Sequence, residues 1–412
     1  MNREAQPGPL DSVLYHDRSM RIGLVLHLAG QAPPLKRLID HVRERLGQSP
    51  ALSLTLVGRG TSAVWHLQPP NLEDHLGVRE VPEGTNIHEV VRNLHQEPFA
   101  DGRPPWTMTL VQGYSPGRYA LVYRISHGIQ DTGGMARTLE ILFATAPVPA
   151  AASSATVRGL ITPPRPTLRH RTYAVRLLAH STAKSGLWPH PDHGYSDQWA
   201  YQWTEVPTDS LRSLAAPHHG SANDAFLATM TRAVSHWAAH GHPRHSGPGM
   251  PVTMAINLRS PALADTPGNH VTTGRFTLPG HTEPLSRTLQ MAVAATTPLK
   301  QPPYREAIRR TFDSIPPWLI QASFRTLLSP KRAAACSSHF AIRHPLAYNG
   351  DPVQAIDPIT ALPAGAPVSA LMISYEGASR AVFVTDSALP GMDRIHQVWR
   401  AEVEERPVLA QH

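Results

Sequence analysis

In the first 150 residues, hydrophobic and polar residues recur with two different spacings. Apolar residues recur three or four positions apart in 35–46 and again in 87–94, and each stretch predicts an amphipathic helix. Apolar and polar residues alternate in 52–56, and apolar runs occupy 107–114 and 119–126, so these three stretches predict strands. A Ser-Pro-Gly turn separates the last two strands. The N-terminal part therefore reads as mixed α/β.

The pattern after residue 220 has the same mixed character. Ser221 and Asp224 have the spacing of a capping box, and the apolar face continues to Gly241, which predicts one long helix. A final helix is predicted over about 392–405. Between these elements, four strands are predicted over 252–257, 271–278, 369–375 and 381–385.

A segment rich in proline and small residues, 145–171, separates the two patterned parts. We therefore divide the chain into an N-terminal subdomain, 1–150, a basic proline-rich linker, 151–195, and a C-terminal subdomain, 196–412. No short internal repeat is evident, although two parts of similar size and class fit a duplicated architecture.

Composition narrows the class of protein. With 41% hydrophobic and 17% charged residues, the 412-residue chain is globular. Its one cysteine, Cys336, excludes a disulfide scaffold or a cysteine-rich metal site, and we interpret it as structural. No apolar run reaches the 18 residues of a membrane helix and the first residues do not form a signal peptide, so we expect a cytoplasmic protein.

The net charge of +7 comes from two segments. Residues 151–190 contain six basic and no acidic residues, and residues 300–335 contain seven basic and two acidic residues. No nucleic-acid-binding motif accompanies them, so we do not expect nucleic acid as a partner. The two basic segments could attract the phosphates of coenzyme A, an acidic carrier protein or, peripherally, an anionic membrane. The alternative is that they are simply solvated surface.

The stretch YALVYRISHGIQDTGGMARTLEILF carries the candidate chemistry. An apolar strand leads into His127, a glycine-rich turn follows, and an amphipathic helix begins after Asp131. A strand that ends in a turn before a helix presents a side chain from a rigid scaffold. Taken alone, an HxxxD pair is more commonly a turn histidine and a helix N-cap.

The segment SHGIQDTGG resembles the HHxxxDG signature of the wax ester synthase/diacylglycerol acyltransferase family. That family belongs to the superfamily of CoA-dependent acyltransferases and condensation domains. Further segments resemble the family in the same order: GRPPWTMTLVQGY, NDAFLATMTRAV, MAINLRSP, PGNHVTTGRFTLP and PVSALMISYEGASRAVFVTD. The resemblance implies an α/β fold of two chloramphenicol-acetyltransferase-like subdomains with the active-site tunnel between them.

The resemblance also implies roles for individual residues. His127 corresponds to the second histidine of the motif and would be the general base. Asp131 would have a structural role and pair with Arg259. We add the inference that backbone N–H groups of Gly133 and Gly134 stabilise the developing oxyanion. Four further residues are expected to contact substrate: Ser126, Gln130, Thr132 and Asn269.

The chain departs from the family pattern at three places. Ser126 replaces the first histidine and Thr132 replaces the glycine after the aspartate. Thr132 has a β-carbon and cannot take every conformation open to glycine. The family's SNVPGP-like segment is not evident in SSHFAIRHPLAYNGDP, so we do not carry over wax or triacylglycerol synthesis.

The expected function is transfer of an acyl group from acyl-CoA to a hydroxyl or amine of a small acceptor in specialised metabolism. Coenzyme A thioester would be a co-substrate, with no permanently bound cofactor and no metal. One alternative is a condensation-like enzyme that takes its acyl donor from a carrier protein and forms an ester or amide. Another is a noncatalytic recruitment module of the same fold.

Overall fold

The computed structural model describes residues 6–149, 165–182, 196, 198–241, 249–260, 263–327, 333–363 and 366–404. The N-terminal elements are α1 (Pro9–His16), β1 (Arg21–Ala29), α2 (Leu35–Arg45), β2 (Leu54–Val57), β3 (Val64–Leu67), β4 (Leu76–Glu80), α3 (Ile87–Gln96), β5 (Trp106–Gln112), β6 (Arg118–Ser126) and α4 (Thr132–Phe143). The following elements are α5 (Leu168–Thr182), β7 (Trp199–Pro207), α6 (Thr208–Ala215), α7 (Ala222–Gly241), β8 (Met250–Asn257), β9 (Val271–Leu278), α8 (Leu285–Thr296), α9 (Pro302–Asp313), α10 (Pro317–Leu327), β10 (Ala335–Ala341), β11 (Ala347–Tyr348), β12 (Asp351–Ile359), β13 (Val368–Tyr375), β14 (Ala378–Asp386) and α11 (Ile395–Val403).

Two six-stranded mixed sheets organise the molecule. The first has the order β11-β12-β1-β6-β5-β4, and the second has the order β7-β14-β13-β10-β8-β9. A separate hairpin is formed by β2 and β3. Each sheet has its own core of buried apolar residues, which includes Trp106 in the first half and Trp399 in the second. The predicted mixed α/β class is confirmed.

The first sheet is completed by sequence from the far end of the chain. β12 pairs antiparallel with β1, and Leu26 lies opposite Ile356. The predicted boundary at residue 150 does not account for this pairing, because two strands so distant in sequence leave no local pattern. Residues 347–359 therefore belong structurally to the first half, although the predicted boundary assigns them to the C-terminal subdomain.

Part of the predicted linker is a helix. Residues 150–164 and most of 183–197 lie outside the described residues, but α5 lies within the linker and packs on α9 and β9. The two basic segments thus meet through α5 and α9. In α9, Arg309 and Arg310 pair with Glu306. No ion pair in the described part of the chain involves an arginine of α5.

The long helix α7 is anchored as its capping pattern predicts. Asp224 Oδ2 accepts hydrogen bonds from the N–H of Ser221 at 2.6 Å and from its hydroxyl at 2.8 Å. The same carboxylate oxygen lies 2.6 Å from Nζ of Lys300, so α7 is also tied to the start of α9. This part of the fold positions β8 and β9, which border the candidate site.

Candidate active site

His127 directly follows the end of β6. Its backbone N–H donates to the carbonyl of Met20 at 2.9 Å, and its own carbonyl accepts a hydrogen bond from Nδ2 of Asn269 at 2.8 Å. Burial lowers the pKa of His127, so the imidazole is neutral at pH 7. Nδ1 is buried and has no hydrogen-bond partner among the described residues. The backbone of His127 is therefore fixed by hydrogen bonds on both sides, and its imidazole is neutral.

Asp131 and Arg259 form a buried ion pair between the two halves. Nη2 of Arg259 lies 3.0 Å from both Oδ1 and Oδ2 of Asp131. The two side chains are only 7% and 1% exposed, so water hardly screens the pair. Asp131 Oδ2 also accepts from the backbone N–H of His270 at 2.8 Å. The structure thus brings together two residues that are 128 positions apart in sequence.

Backbone carbonyls within residues 263–268 surround this guanidinium. Nη1 of Arg259 donates to the carbonyls of Leu263 at 2.7 Å and Thr266 at 2.6 Å, and Nη2 donates to the carbonyl of Gly268 at 3.1 Å. The N–H of Gly268 in turn donates to the carbonyl of Ile129 at 2.7 Å. The active-site turn is therefore fixed to the second half by side-chain and backbone bonds together.

The glycine-rich turn differs from the sequence-based expectation. The N–H of Gly134 donates to Asp131 Oδ1 at 2.7 Å as part of the helix N-cap, so the oxyanion role expected for Gly134 is wrong. Gly134 instead leaves room for Arg259, whose Nη2 would lie 3.2 Å from a β-carbon there, whereas a β-carbon at Gly133 would be in ordinary contact with Arg259. Thr132 lies in the first turn of α4, where no glycine conformation is required.

Asn269 supports His127 rather than projecting into the main cavity. Its Nδ2 and its backbone N–H both donate to Asp11 Oδ1, at 2.9 Å and 2.7 Å. Burial raises the pKa of Asp11 to about 6, and the hydrogen bonds from Asn269 and Gly8 oppose this rise. Asp11 in α1 therefore connects to the carbonyl of His127 through Asn269. No sequence signal pointed to Asp11.

The expected substrate contact of Gln130 is wrong. Its side chain is buried, accepts from the hydroxyl of Tyr123 at 3.0 Å and donates to Thr138 at 2.7 Å, which places it in the core of the first half. Ser126 is also buried, and its hydroxyl accepts from the N–H of Gly128 at 3.3 Å. Ser126 borders a different cavity, formed by the first half alone.

A cavity of about 160 Å³ lies between the halves and is bordered by His127 and Thr132. Its walls come from α1, β1, α9 and α10 together with strands of the second sheet, and they are mostly apolar. Cys336 borders it too, with Thr253 donating to Sγ at 3.0 Å. Burial raises the pKa of this thiol, which keeps it protonated. Cys336 is thus part of the site wall, which its sequence context did not reveal.

The described part of the chain contains neither a candidate metal site nor a candidate membrane-spanning helix. No three His, Cys, Asp or Glu side chains there are grouped so that they could hold a metal ion. Within the same residues, no helix has the length and apolar character needed to cross a bilayer.

Comparisons with known proteins place this geometry in context. The model of the wax ester synthase/diacylglycerol acyltransferase catalytic domain matches residues 15–186, which include His127 and Asp131. No curated protein matches the sequence significantly.

Solved structures match over nearly the whole chain. The wax ester synthase/diacylglycerol acyltransferase from Marinobacter aquaeolei VT8 is 16% identical, with a TM-score of 0.63, over 97% of this chain and 98% of that one. The first condensation domain of the calcium-dependent antibiotic synthetase is 15% identical, with a TM-score of 0.70, over 98% and 95%. The starter condensation domain of rhizomide synthetase is 13% identical, with a TM-score of 0.66, over 97% and 93%.

These similarities confirm the predicted fold class of two chloramphenicol-acetyltransferase-like subdomains. At such low identities the structural matches establish the fold alone. The family model matches residues 15–186, the part of the chain that carries the HxxxD motif. Together, the family model and the structural matches show that the chain has an acyltransferase-type fold shared with condensation domains.

Proposed function

We propose that the protein transfers an acyl group from a pantetheine thioester to a hydroxyl or amine of a small acceptor, with His127 as general base. The observation that carries this proposal is the position of the neutral imidazole on a mostly apolar cavity between the halves. A neutral imidazole can accept a proton near pH 7, and apolar walls suit an acyl chain.

The proposed reaction needs no covalent enzyme intermediate. The imidazole removes the proton of the acceptor hydroxyl or amine while that atom attacks the thioester carbon. A new C–O or C–N bond forms, the C–S bond breaks, and the imidazolium returns the proton to the departing thiolate. General-base catalysis of this kind contributes about 10²–10⁴-fold to the rate.

Other residues would position the base. The carbonyl of His127 is held by Asn269, and the turn that follows is held by the Asp131–Arg259 pair. Both contacts come from the second half, so the base would be aligned only when the halves are packed together. Positioning of this kind is what keeps a reacting group in a productive geometry.

The donor is proposed to be acyl-CoA. The starter condensation domain of rhizomide synthetase, which shares the fold, has been solved in complex with C8-CoA. Condensation domains also share the fold, so the donor is tested by comparing acyl-CoA with the same acyl group loaded on a carrier protein. Preference for the carrier-bound donor would favour the condensation-like alternative.

The test is mass spectrometry of purified protein with acyl-CoA and a panel of alcohols and amines. We expect an acylated product with the parent protein and a loss of about 10²–10⁴-fold with His127→Ala. His41→Ala is the matched control, because His41 is also half-buried but hydrogen-bonds Leu142 away from the cavity. Equal turnover by His127→Ala and the parent would rule out His127 as the base.

A further inference from the structure

A second cavity, of about 330 Å³, is bordered by Ser126, the residue before His127. We call it the polar chamber. It is lined entirely by residues 15–126, so it belongs to the first half alone. Met20 borders both cavities, and Ser126 in the polar chamber directly precedes His127 in the apolar one. The two spaces therefore adjoin next to the proposed base.

Arg21 distinguishes this chamber from an ordinary surface cleft. The two other arginines that line it have carboxylate partners: Arg18 lies 2.9 Å from Asp101, and Arg103 lies 3.1 Å from Asp74. Within the described residues, no carboxylate lies within 4 Å of the guanidinium of Arg21.

The hydrogen bonds of Arg21 go only to backbone carbonyls. Nε donates to His95 at 2.9 Å, Nη1 to Arg18 at 2.6 Å and Nη2 to Gln96 at 3.4 Å. A guanidinium has five N–H donors, so one remains on each terminal nitrogen. The two terminal nitrogens of a planar guanidinium can donate to the two oxygens of one carboxylate.

The backbone of Arg21 is also close to the backbone of the proposed base. It lies directly opposite Ser126 in the β1–β6 ladder. Directly opposed Cα atoms are about 4.5–5.5 Å apart and successive Cα atoms about 3.8 Å apart, so the Cα atoms of Arg21 and His127 are within roughly 9 Å. An acceptor can carry a carboxylate a few bonds from its nucleophile. The phosphate of a pantetheine thioester is separated from the thioester by the whole pantetheine arm.

We infer that the polar chamber binds the acceptor, and that the acceptor is a small hydroxy or amino compound whose carboxylate is held by Arg21. This inference rests on the proposed acyl transfer at His127. The acyl chain then occupies the apolar cavity, and the acceptor nucleophile reaches the imidazole past Met20. Ser126, which stands where the family has a histidine, leaves room for the acceptor at this point.

The test pairs hydroxy acids and amino acids with their own methyl esters. Binding is measured by calorimetry to His127→Ala, so turnover is not required. We expect at least one acid to bind tenfold or more tightly than its ester, as expected for hydrogen bonds to a charged group. Arg21→Gln should abolish that preference and Arg21→Lys should retain part of it. Arg79→Gln, in an exposed pair with Glu97 outside the chamber, should leave it unchanged.

Kinetics with the parent protein separate acceptor from donor. Arg21→Gln should lower kcat/KM for the acid at least tenfold and leave the KM for acyl-CoA unchanged. The inference is overturned if no acid is preferred over its ester, or if Arg21→Gln raises the KM for acyl-CoA instead, which would assign Arg21 to a donor phosphate. Failure of the proposed function is a distinct result: His127→Ala would be fully active, while the binding preference is still measured.

Discussion

Neutralising Asp131 should strongly destabilise the packing of the two halves. In Asp131→Asn the side chain keeps its shape and one oxygen, but the carboxylate that faces Arg259 is replaced by a neutral amide. The guanidinium, only 7% exposed, is then left without its acid. The backbone N–H groups of His270 and Gly134 also compete for the one remaining oxygen.

The magnitude follows from these contacts. The contact from Nη2 of Arg259 to the two carboxylate oxygens loses its negatively charged partner. Removing one partner of a buried ion pair costs about 3–5 kcal/mol. Asp101→Asn is the control, because Asp101 and Arg18 form a pair whose side chains are 84% and 72% exposed, and exposed pairs contribute little.

The assay is denaturant unfolding followed by tryptophan fluorescence. Asp131→Asn should lower the free energy of unfolding by about 3–5 kcal/mol, and the control should match the parent. The double variant Asp131→Asn with Arg259→Met removes both charges and should recover part of the loss. A change below about 1 kcal/mol in Asp131→Asn would show that this pair does not hold the halves together.

Three further outcomes are expected. Gly128→Ala should lower the free energy of unfolding by about 1–3 kcal/mol, because the new β-carbon would overlap the backbone of Tyr15. Gly77→Ala is the control and should cost less, since open space surrounds Gly77. Equal losses in the two variants would contradict the packing at Gly128. The kcat/KM of acyl transfer should fall only below pH 6.5, since burial lowers the pKa of His127 and the base must be neutral; an acidic limb above pH 6.5 would contradict that assignment. Asn269→Ala should lower kcat about 10²-fold with the KM for acyl-CoA unchanged, because the carbonyl of His127 loses its donor; a kcat equal to that of the parent would refute this positioning role.

Local features of the fold could be predicted because they depend on nearby residues. The start of α7 follows from the Ser221–Asp224 spacing, and the helix after Asp131 follows from its N-cap. The Asp131–Arg259 contact was expected only through the family resemblance, since nothing local links residues so far apart. The roles of His127 and its neighbours remain predictions.

Other features depend on where distant residues meet, and the sequence carried no signal for them. Arg21 looks like any basic residue until the structure shows which arginines around it have acid partners. The side chain of Gln130 was expected near substrate because of its place in the motif, yet its amide is consumed by Tyr123 and Thr138. In both cases the outcome depends on tertiary contacts rather than on residue type.

The pairing of β12 with β1 has a consequence for biosynthesis. β1 emerges early from the ribosome, but the partner contact between His27 and Asp357 spans 330 residues. At about 5–20 residues per second, this edge of an apolar strand stays unpaired for roughly 15–70 s. Such an edge invites pairing with other chains. A nascent chain interrupted before residue 351 should therefore depend on chaperones, and the two halves expressed separately should be insoluble.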